Sequence, residues 1–168
     1  MNHSAHGPIP VPFMLPDGRT LIGRVSKIRN PQDAHPALWQ AGDWGELTDV
    51  ISEQDVLAFA RVSRDVQWIH TDIERAKAKF GGLVVHGALT ASLISALYGN
   101  VMPGEGAFYL EAEIAFKKKV LAGESITARA TIASFAANGV MCLDNLVTNA
   151  AGDEVAIGKG KVLVRSLK

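Results

Sequence analysis

The chain has 168 residues, 48% apolar and 20% charged, enough for one domain with a sizeable core. Its 17 basic residues balance its 17 acidic ones, which excludes a nucleic-acid or membrane-surface binder working by bulk charge. A single cysteine, Cys142, excludes an internal disulfide, fits a reducing cytoplasm, and reads as a small buried hydrophobe in the apolar run GVMCLDNLV.

The opening MNHSAHGPIPVPFMLP has no basic segment leading into an apolar run, so it does not read as a signal peptide. Residues 1 to about 20 are rich in Pro and Gly and read as an irregular arm. Leu21 to Ile28 suits a short strand. Residues 29 to 46 hold Pro31, Pro36, Gly42 and Gly45 and read as a loop carrying Trp39 and Trp44. The organisation expected is an arm and loop over 1–45, with a possible short strand, and one domain over 46–168.

Ser52 opens a helix. SEQDVLAFARVS has a capping serine, acids at Glu53 and Asp55 in the first turn, and Val56, Phe59 and Ala60 on one face. That helix is expected to stop near Val62. Thr71 or Asp72 then caps a short helix, IERAKAKF, which Gly81-Gly82 ends. A further helix is predicted from about Gly87 to Tyr98, apolar nearly all round and therefore buried on most sides. From Phe80 to Gly104 there is no Asp, Glu, Lys or Arg. The length nominally suits a membrane span, but the glycines, Asn100, Pro103 and several hydroxyls favour a buried core helix.

After Gly104 the pattern becomes extended. FYLEAEIAFKKKV, ESITARATIASF, GVMCLDNLVTNA and EVAIGKGKVLVRS are strands, separated by turns at Ala122-Gly123, Asn138-Gly139 and Ala151-Gly152-Asp153. They read as an antiparallel meander. An apolar helix followed by such strands implies an α+β fold with a sheet wrapped around a buried helix.

The chemistry concentrates between Ser63 and Ser95. Asp65 precedes His70 by five residues, a spacing that puts the two on one side of neither a helix nor a strand. They meet only if the segment folds as a loop. Together they suit an acid/base pair: imidazole accepts a proton near neutral pH and a carboxylate orients or shares that task. The plainer alternative is a surface loop with an Asx-turn at Asp65 and His70 packed beside Trp68. His70, Asp72 and His86 also offer metal-ligand chemistry, without a recognised metal spacing. His86-Gly87 opens the long helix, where free N–H groups can hold a carbonyl oxygen that gains charge. Its plainer reading is a tight turn. Ser92 and Ser95 lie on that helix outside any nucleophile elbow. Lys117-Lys118-Lys119 is either edge protection or a phosphate-binding run.

The segment SRDVQWIHTDIERAKAKFGGLVVHG resembles the MaoC-like (R)-specific enoyl-CoA hydratases, whose fold is the hot dog. The match rests on Ser63, Asp65, Ile69, His70, Asp72, Ala76, Phe80, Gly81, His86 and Gly87, with Phe59 before them. Downstream, YLEAEIAFKKKVLAGESITARATI is similar to the family's strand pair. The resemblance covers about residues 47 to 165. It implies reversible syn hydration of a trans-2-enoyl thioester to an (R)-3-hydroxyacyl thioester. On that resemblance Asp65 and His70 hold and activate the water, and Gly87 donates to the thioester oxygen. Gln67, Ser95 and His86 complete the substrate-binding set. No metal or organic cofactor is implied, and CoA is part of the substrate. A cytoplasmic homodimer or higher homo-oligomer is implied, with the site at its interface, and no nucleic acid or membrane as partner. Arg64 stands where the family has glycine, and is strained if that position needs a positive φ. Gln67-Trp68 replaces Asn-Pro.

Two further classes compete. A hot-dog thioesterase would direct water at the thioester carbonyl and release thiol. A non-catalytic acyl-thioester binder would hold the ligand without turnover.

Overall fold

In the computed structural model, residues 7–26 and 39–165 are described. Among the described residues, alternation of apolar and polar side chains lays down seven strands. Strand β1 (Ile9–Met14) pairs antiparallel with β2 (Thr20–Val25), and β2 pairs with β3 (Trp44–Val50). The described part of the irregular arm expected up to about residue 20 is therefore built into a hairpin, and residues 1–6 lie outside the described residues. IPVPFM reads as irregular because of its prolines, yet Ile9, Val11 and Phe13 alternate inward while Pro10 and Pro12 point to solvent. Proline is tolerated here because β1 is the outermost strand of the sheet. The end of the expected Leu21–Ile28 strand and most of the expected 29–46 loop lie outside the described residues. Trp44, expected in that loop, begins β3, where the Arg129 guanidinium covers its ring at 3.7 Å.

Helix α1 (Glu53–Ser63) starts as the sequence requires. The Ser52 hydroxyl accepts from the Asp55 N–H at 3.1 Å, and the Asp55 carboxylate accepts from the Ser52 N–H at 2.9 Å. It ends on Arg64, whose φ of 67° is left-handed. A single turn, α2 (Trp68–Thr71), follows, and then α3 (Ile73–Phe80). Asp72 caps α3 by accepting from the Arg75 N–H at 3.0 Å, and Gly81 closes it at φ 91°. Helix α4 (Gly87–Asn100) buries Thr90, Leu93, Ile94, Leu97 and Tyr98. Each large aliphatic chain taken from water there contributes about 1.5–3 kcal/mol.

Four more strands follow: β4 (Ala107–Phe116), β5 (Ser125–Phe135), β6 (Val140–Asn149) and β7 (Glu154–Val164). The sheet order is β1-β2-β3-β5-β6-β7-β4, all antiparallel. Only β5, β6 and β7 form the expected meander. Strand β4 joins the far side of β7 instead of lying beside β5, and β3 takes that place. The alternation in the sequence defines strands but carries no record of which neighbours pair. Helix α4 packs on β3, β5 and β4. Since β3 and β4 are separated by three strands, one helix can touch both only if the sheet curls around it. This is the α+β hot-dog arrangement expected.

The connection from β4 to β5 passes beside the strand-like segment that leads into α4. The Val85 N–H donates to the Val120 carbonyl at 2.8 Å, and the Ala122 N–H to the Leu83 carbonyl at 2.9 Å. The start of α4 and the residues after β4 are thereby held side by side.

Candidate active site

The left-handed turn at Arg64 sends the chain from α1 into a short extended run, and α2 turns it back. Asp65 thus comes to face His70 despite the awkward spacing. Asp65 is organised by its own turn. Its N–H donates to the Ser63 hydroxyl at 3.2 Å, and its Oδ1 accepts from the Gln67 N–H at 3.3 Å. The Asx-turn expected of a plain surface loop is therefore present, but the other carboxylate oxygen remains free for chemistry. Oδ2 lies 3.9 Å from His70 Nε2. The carboxylate is 54% exposed, whereas His70 is 7% exposed.

His70 does not pack on Trp68. That indole stacks on Phe80 at 5.8 Å and lies under the Arg75 guanidinium at 4.0 Å. His70 turns inward, and its Nδ1–H donates to the Val84 carbonyl at 2.6 Å. A carbonyl oxygen only accepts, so the proton of the neutral ring sits on Nδ1 and the Nε2 lone pair faces Asp65. The same reasoning applies to His86, 3% exposed, which donates Nε2–H to the Asp65 carbonyl at 3.0 Å. That bond ties the Asp65 main chain to the entrance of α4. The two imidazoles stack at 3.7 Å between centroids and 19° between planes, and Phe59 packs edge-on to His86 at 5.0 Å. His86 therefore aligns His70 and anchors Asp65.

Gly87, the first residue of α4, lines a cleft of about 380 Å³ together with His70, Thr90, Phe116 and the three lysines 117–119. The first-turn amides of a helix have no acceptor within it and sit at its positive end. A Cβ on Gly87 would lie 3.0 Å from the Phe116 ring, so this position has no room for a larger residue unless the ring moves.

The other expected residues fall differently. Gln67 uses its main chain, donating to Asp65 and accepting from the His70 N–H at 2.9 Å. Its side chain is exposed and makes no hydrogen bond among the described residues. Ser95 is exposed on α4, about 12 Å along the axis from Gly87, and is not among the residues lining the cleft. Ser92 bonds the Leu89 carbonyl at 2.7 Å, the ordinary mid-helix arrangement. Asp72, grouped with the histidines as a metal-ligand candidate, caps α3 instead. Asp65, His70 and His86 offer ligand atoms within 4.8 Å of one another; His86 Nε2 and His70 Nδ1 are engaged with carbonyls, which leaves His86 Nδ1 and His70 Nε2 as the free nitrogens. Sequence reasoning missed Val84 and Phe116. Val84 acts through its carbonyl, which leaves no signature in the side-chain pattern. Phe116 reads as a strand residue and is significant only through Gly87.

Comparison with known proteins gives the family. Residues 42–151 match the MaoC like domain. An (R)-specific enoyl-CoA hydratase from Rhodospirillum rubrum is 32% identical over 124 residues, 73% of this chain and 86% of that protein. One from Aeromonas caviae is 35% identical over 94 residues, 55% and 70%. Among solved structures, the unliganded R-hydratase PhaJ1 from Pseudomonas aeruginosa aligns with a TM-score of 0.75 at 29% identity, covering 78% of this chain and 85% of that one. With the fold, the acid–imidazole pair and the helix-end glycine all in place, the chain belongs to the MaoC-like dehydratase family.

Proposed function

We propose that this protein is an (R)-specific enoyl-CoA hydratase, equivalently a 3-hydroxyacyl-CoA dehydratase. One observation carries the reading. Asp65 Oδ2 and the His70 Nε2 lone pair are both acceptors, and their 3.9 Å separation is too long for a direct hydrogen bond. A water between them donates one hydrogen to each, which leaves its lone pair free to attack. The electrophile is C3 of a trans-2-enoyl thioester. As the new C–O bond forms, electron density moves through the double bond to the thioester oxygen. The Gly87 N–H at the positive end of α4 holds that oxygen. One of the pair takes the proton of the water and the same side of the site delivers a proton to C2, giving syn addition. His86 positions both partners. The step needs no cofactor, and CoA enters as part of the substrate.

The hydratase unit is taken as residues 46–168, with the β1–β2 hairpin as an extension beyond the matched residues. A homodimer is favoured by the contrast between the two sheet edges. Strand β1, with Pro10 and Pro12, cannot complete a ladder on both its sides. Strand β4, the other edge, has no proline and exposes Phe108 and Leu110 by about half. A second copy pairing there would cover that apolar edge and bring a second set of residues near Ser95 and the cleft. Among the described residues no helix is long and apolar enough to cross a membrane. A cytoplasmic location is consistent with that and with the one free cysteine.

The test is hydration of crotonyl-CoA, followed by loss of enoyl-thioester absorbance, with chiral analysis of the product and a parallel free-thiol assay. The expected product is (R)-3-hydroxybutyryl-CoA with no thiol release. Thiol release would move the protein to the thioesterases, and binding without turnover would make it a carrier of acyl thioesters. Asp65→Asn and His70→Ala should each lower the rate by about 10²–10⁴-fold with the fold kept.

A further inference from the structure

The residues that follow β4 form the rim of the cleft. Lys117, Lys118 and Lys119 line it along with His70 and Gly87. Their main chain is pinned on both sides. The Lys117 N–H donates to the Val155 carbonyl at 2.8 Å, and the Val120 carbonyl accepts from the Val85 N–H at 2.8 Å. Their side chains are exposed. Lys118 pairs with Asp153 at 2.9 Å. Lys117 and Lys119 have no acidic partner among the described residues. The chain as a whole is electrically neutral. Two uncompensated ammonium groups on a fixed segment, at the mouth of the cleft and beside the positive end of α4, make a local field that attracts an anion.

Edge protection alone does not account for this placement. The lysines lie just past the last residue of β4, in a stretch whose backbone is already bonded to β7 and to the segment before α4. The outer side of β4 is an open edge, but these lysines lie past its last residue and line the cleft, so their charge acts on the cleft whatever it does for the edge.

We infer that Lys117 and Lys119 bind the phosphate groups of the CoA moiety while the thioester lies at Gly87 and the Asp65–His70 pair. This rests on the hydratase reading and names the part of the substrate that the rim recognises. The pantetheine arm is an uncharged, flexible spacer between the thioester and the phosphates, so one molecule reaches both ends of the cleft. An acyl carrier protein presents the same arm with a single phosphate, whereas in CoA that phosphate is half of a diphosphate and the ribose carries a further 3′-phosphate. Two separate ammonium groups on alternate residues suit the larger anion. Lysine, as a compact point charge with rotatable donors, suits phosphate without demanding a fixed geometry.

The experiment compares crotonyl-CoA, crotonyl-4′-phosphopantetheine and crotonyl-pantetheine with wild type and the double variant Lys117→Gln, Lys119→Gln. For wild type, KM should be lowest for crotonyl-CoA and should rise with ionic strength. In the double variant, KM for crotonyl-CoA should rise about 3- to 30-fold, as expected for two partly exposed ion pairs, with kcat nearly unchanged. KM for crotonyl-pantetheine should not move. An unchanged KM for crotonyl-CoA, or an equal rise for all three thioesters, would overturn the assignment. If 4′-phosphopantetheine matched CoA in wild type, the lysines would instead read the phosphate that both carriers share, and the CoA assignment would fall. Titration calorimetry with free CoA and with pantetheine separates this from the reaction itself. Tighter binding of CoA that is lost in the double variant, in a protein that hydrates nothing, would overturn the hydratase reading and keep the lysine site.

Discussion

Arg64 provides the most direct test of how this loop is built. It occupies a left-handed conformation, φ 67° and ψ 9°, at the junction between α1 and Asp65. A side chain there brings Cβ against the neighbouring carbonyl, at a cost of about 1–2 kcal/mol relative to glycine. Glycine loses more chain entropy on folding, which returns about 0.4–1 kcal/mol. Glycine should therefore exceed alanine at this position by roughly 0.5–1 kcal/mol, the cleanest comparison because both lack the guanidinium. Arginine sits between them. Its Nη1 donates to the Arg61 carbonyl at 2.7 Å, an exposed bond contributing about 0.5 kcal/mol to the helix end. Urea denaturation of wild type, Arg64→Gly and Arg64→Ala should rank them glycine, arginine, alanine. At this chain length the two extremes should differ by about 1–4 °C in Tm. Hydration by the glycine variant should stay within a few-fold of wild type, because Asp65 is held by Ser63 and His86, not by Arg64. Alanine equal to or more stable than glycine would refute the left-handed turn, and with it the route by which Asp65 reaches His70.

Gly87→Ala should lower kcat by at least about 10-fold, since its Cβ would displace the Phe116 ring next to the oxyanion position; Phe116→Leu in the same chain should restore part of the rate. Asp72→Ala should cost about 0.5–2 kcal/mol in urea denaturation by uncapping α3, with KM little altered. Phe108→Lys on the β4 edge should convert a dimer to a monomer in sedimentation, and an unaltered dimer would place the interface elsewhere. Burial raises the Tyr98 phenol above its ordinary value near 10, opposed only in part by its bond to Asn145 at 2.7 Å. The neutral phenol is the form the fold favours, so stability should be complete below pH about 10 and fall as pH rises towards the folded value. Alkaline titration of tyrosinate absorbance alongside circular dichroism should show this tyrosine ionising late and together with unfolding.

Helix α3 was legible to the residue, because Asp72 and Gly81 are terminators with a local mechanism, and α1 and α4 were legible to within two residues at their ends. The four C-terminal strands were legible for the same reason: their alternation and the Asn138-Gly139 turn are local signals. What the sequence concealed was non-local. Alternation in β4 does not reveal that its partner is β7, and the prolines of IPVPFM hide an edge strand whose inward residues are still every second one. At the site, Asp65, His70 and Gly87 were legible as types in an order. Their convergence depends on the Val84 carbonyl and on the Arg64 turn, which are main-chain properties. Ser95 shows the opposite case. It fits the ordered motif, yet its place on α4, exposed and about 12 Å along the axis from Gly87, leaves it outside the cleft.

The two histidines show why a loop can hold acid–base chemistry at all. A short irregular segment does not by itself fix a carboxylate to a few tenths of an ångström, and most of this loop is exposed. Each histidine spends its one N–H on a backbone carbonyl. His70 donates to Val84, in the segment leading into α4, and His86, at the start of α4, donates back to Asp65 in the loop. The bonds run in opposite directions between the same two segments, so each stops the other from sliding. With both protons committed, His70 Nε2 turns its lone pair towards Asp65, and in the proposed mechanism that sets the direction in which a proton leaves the water. His86→Ala removes one of these ties without touching the reacting atoms. It should lower the rate by about 10- to 100-fold, less than loss of His70, because Asp65 loses the bond that ties its main chain to the start of α4. His86→Gln, which keeps a donor for the Asp65 carbonyl, should recover part of the loss; a His86→Ala enzyme with the wild-type rate would show that the loop holds Asp65 without help.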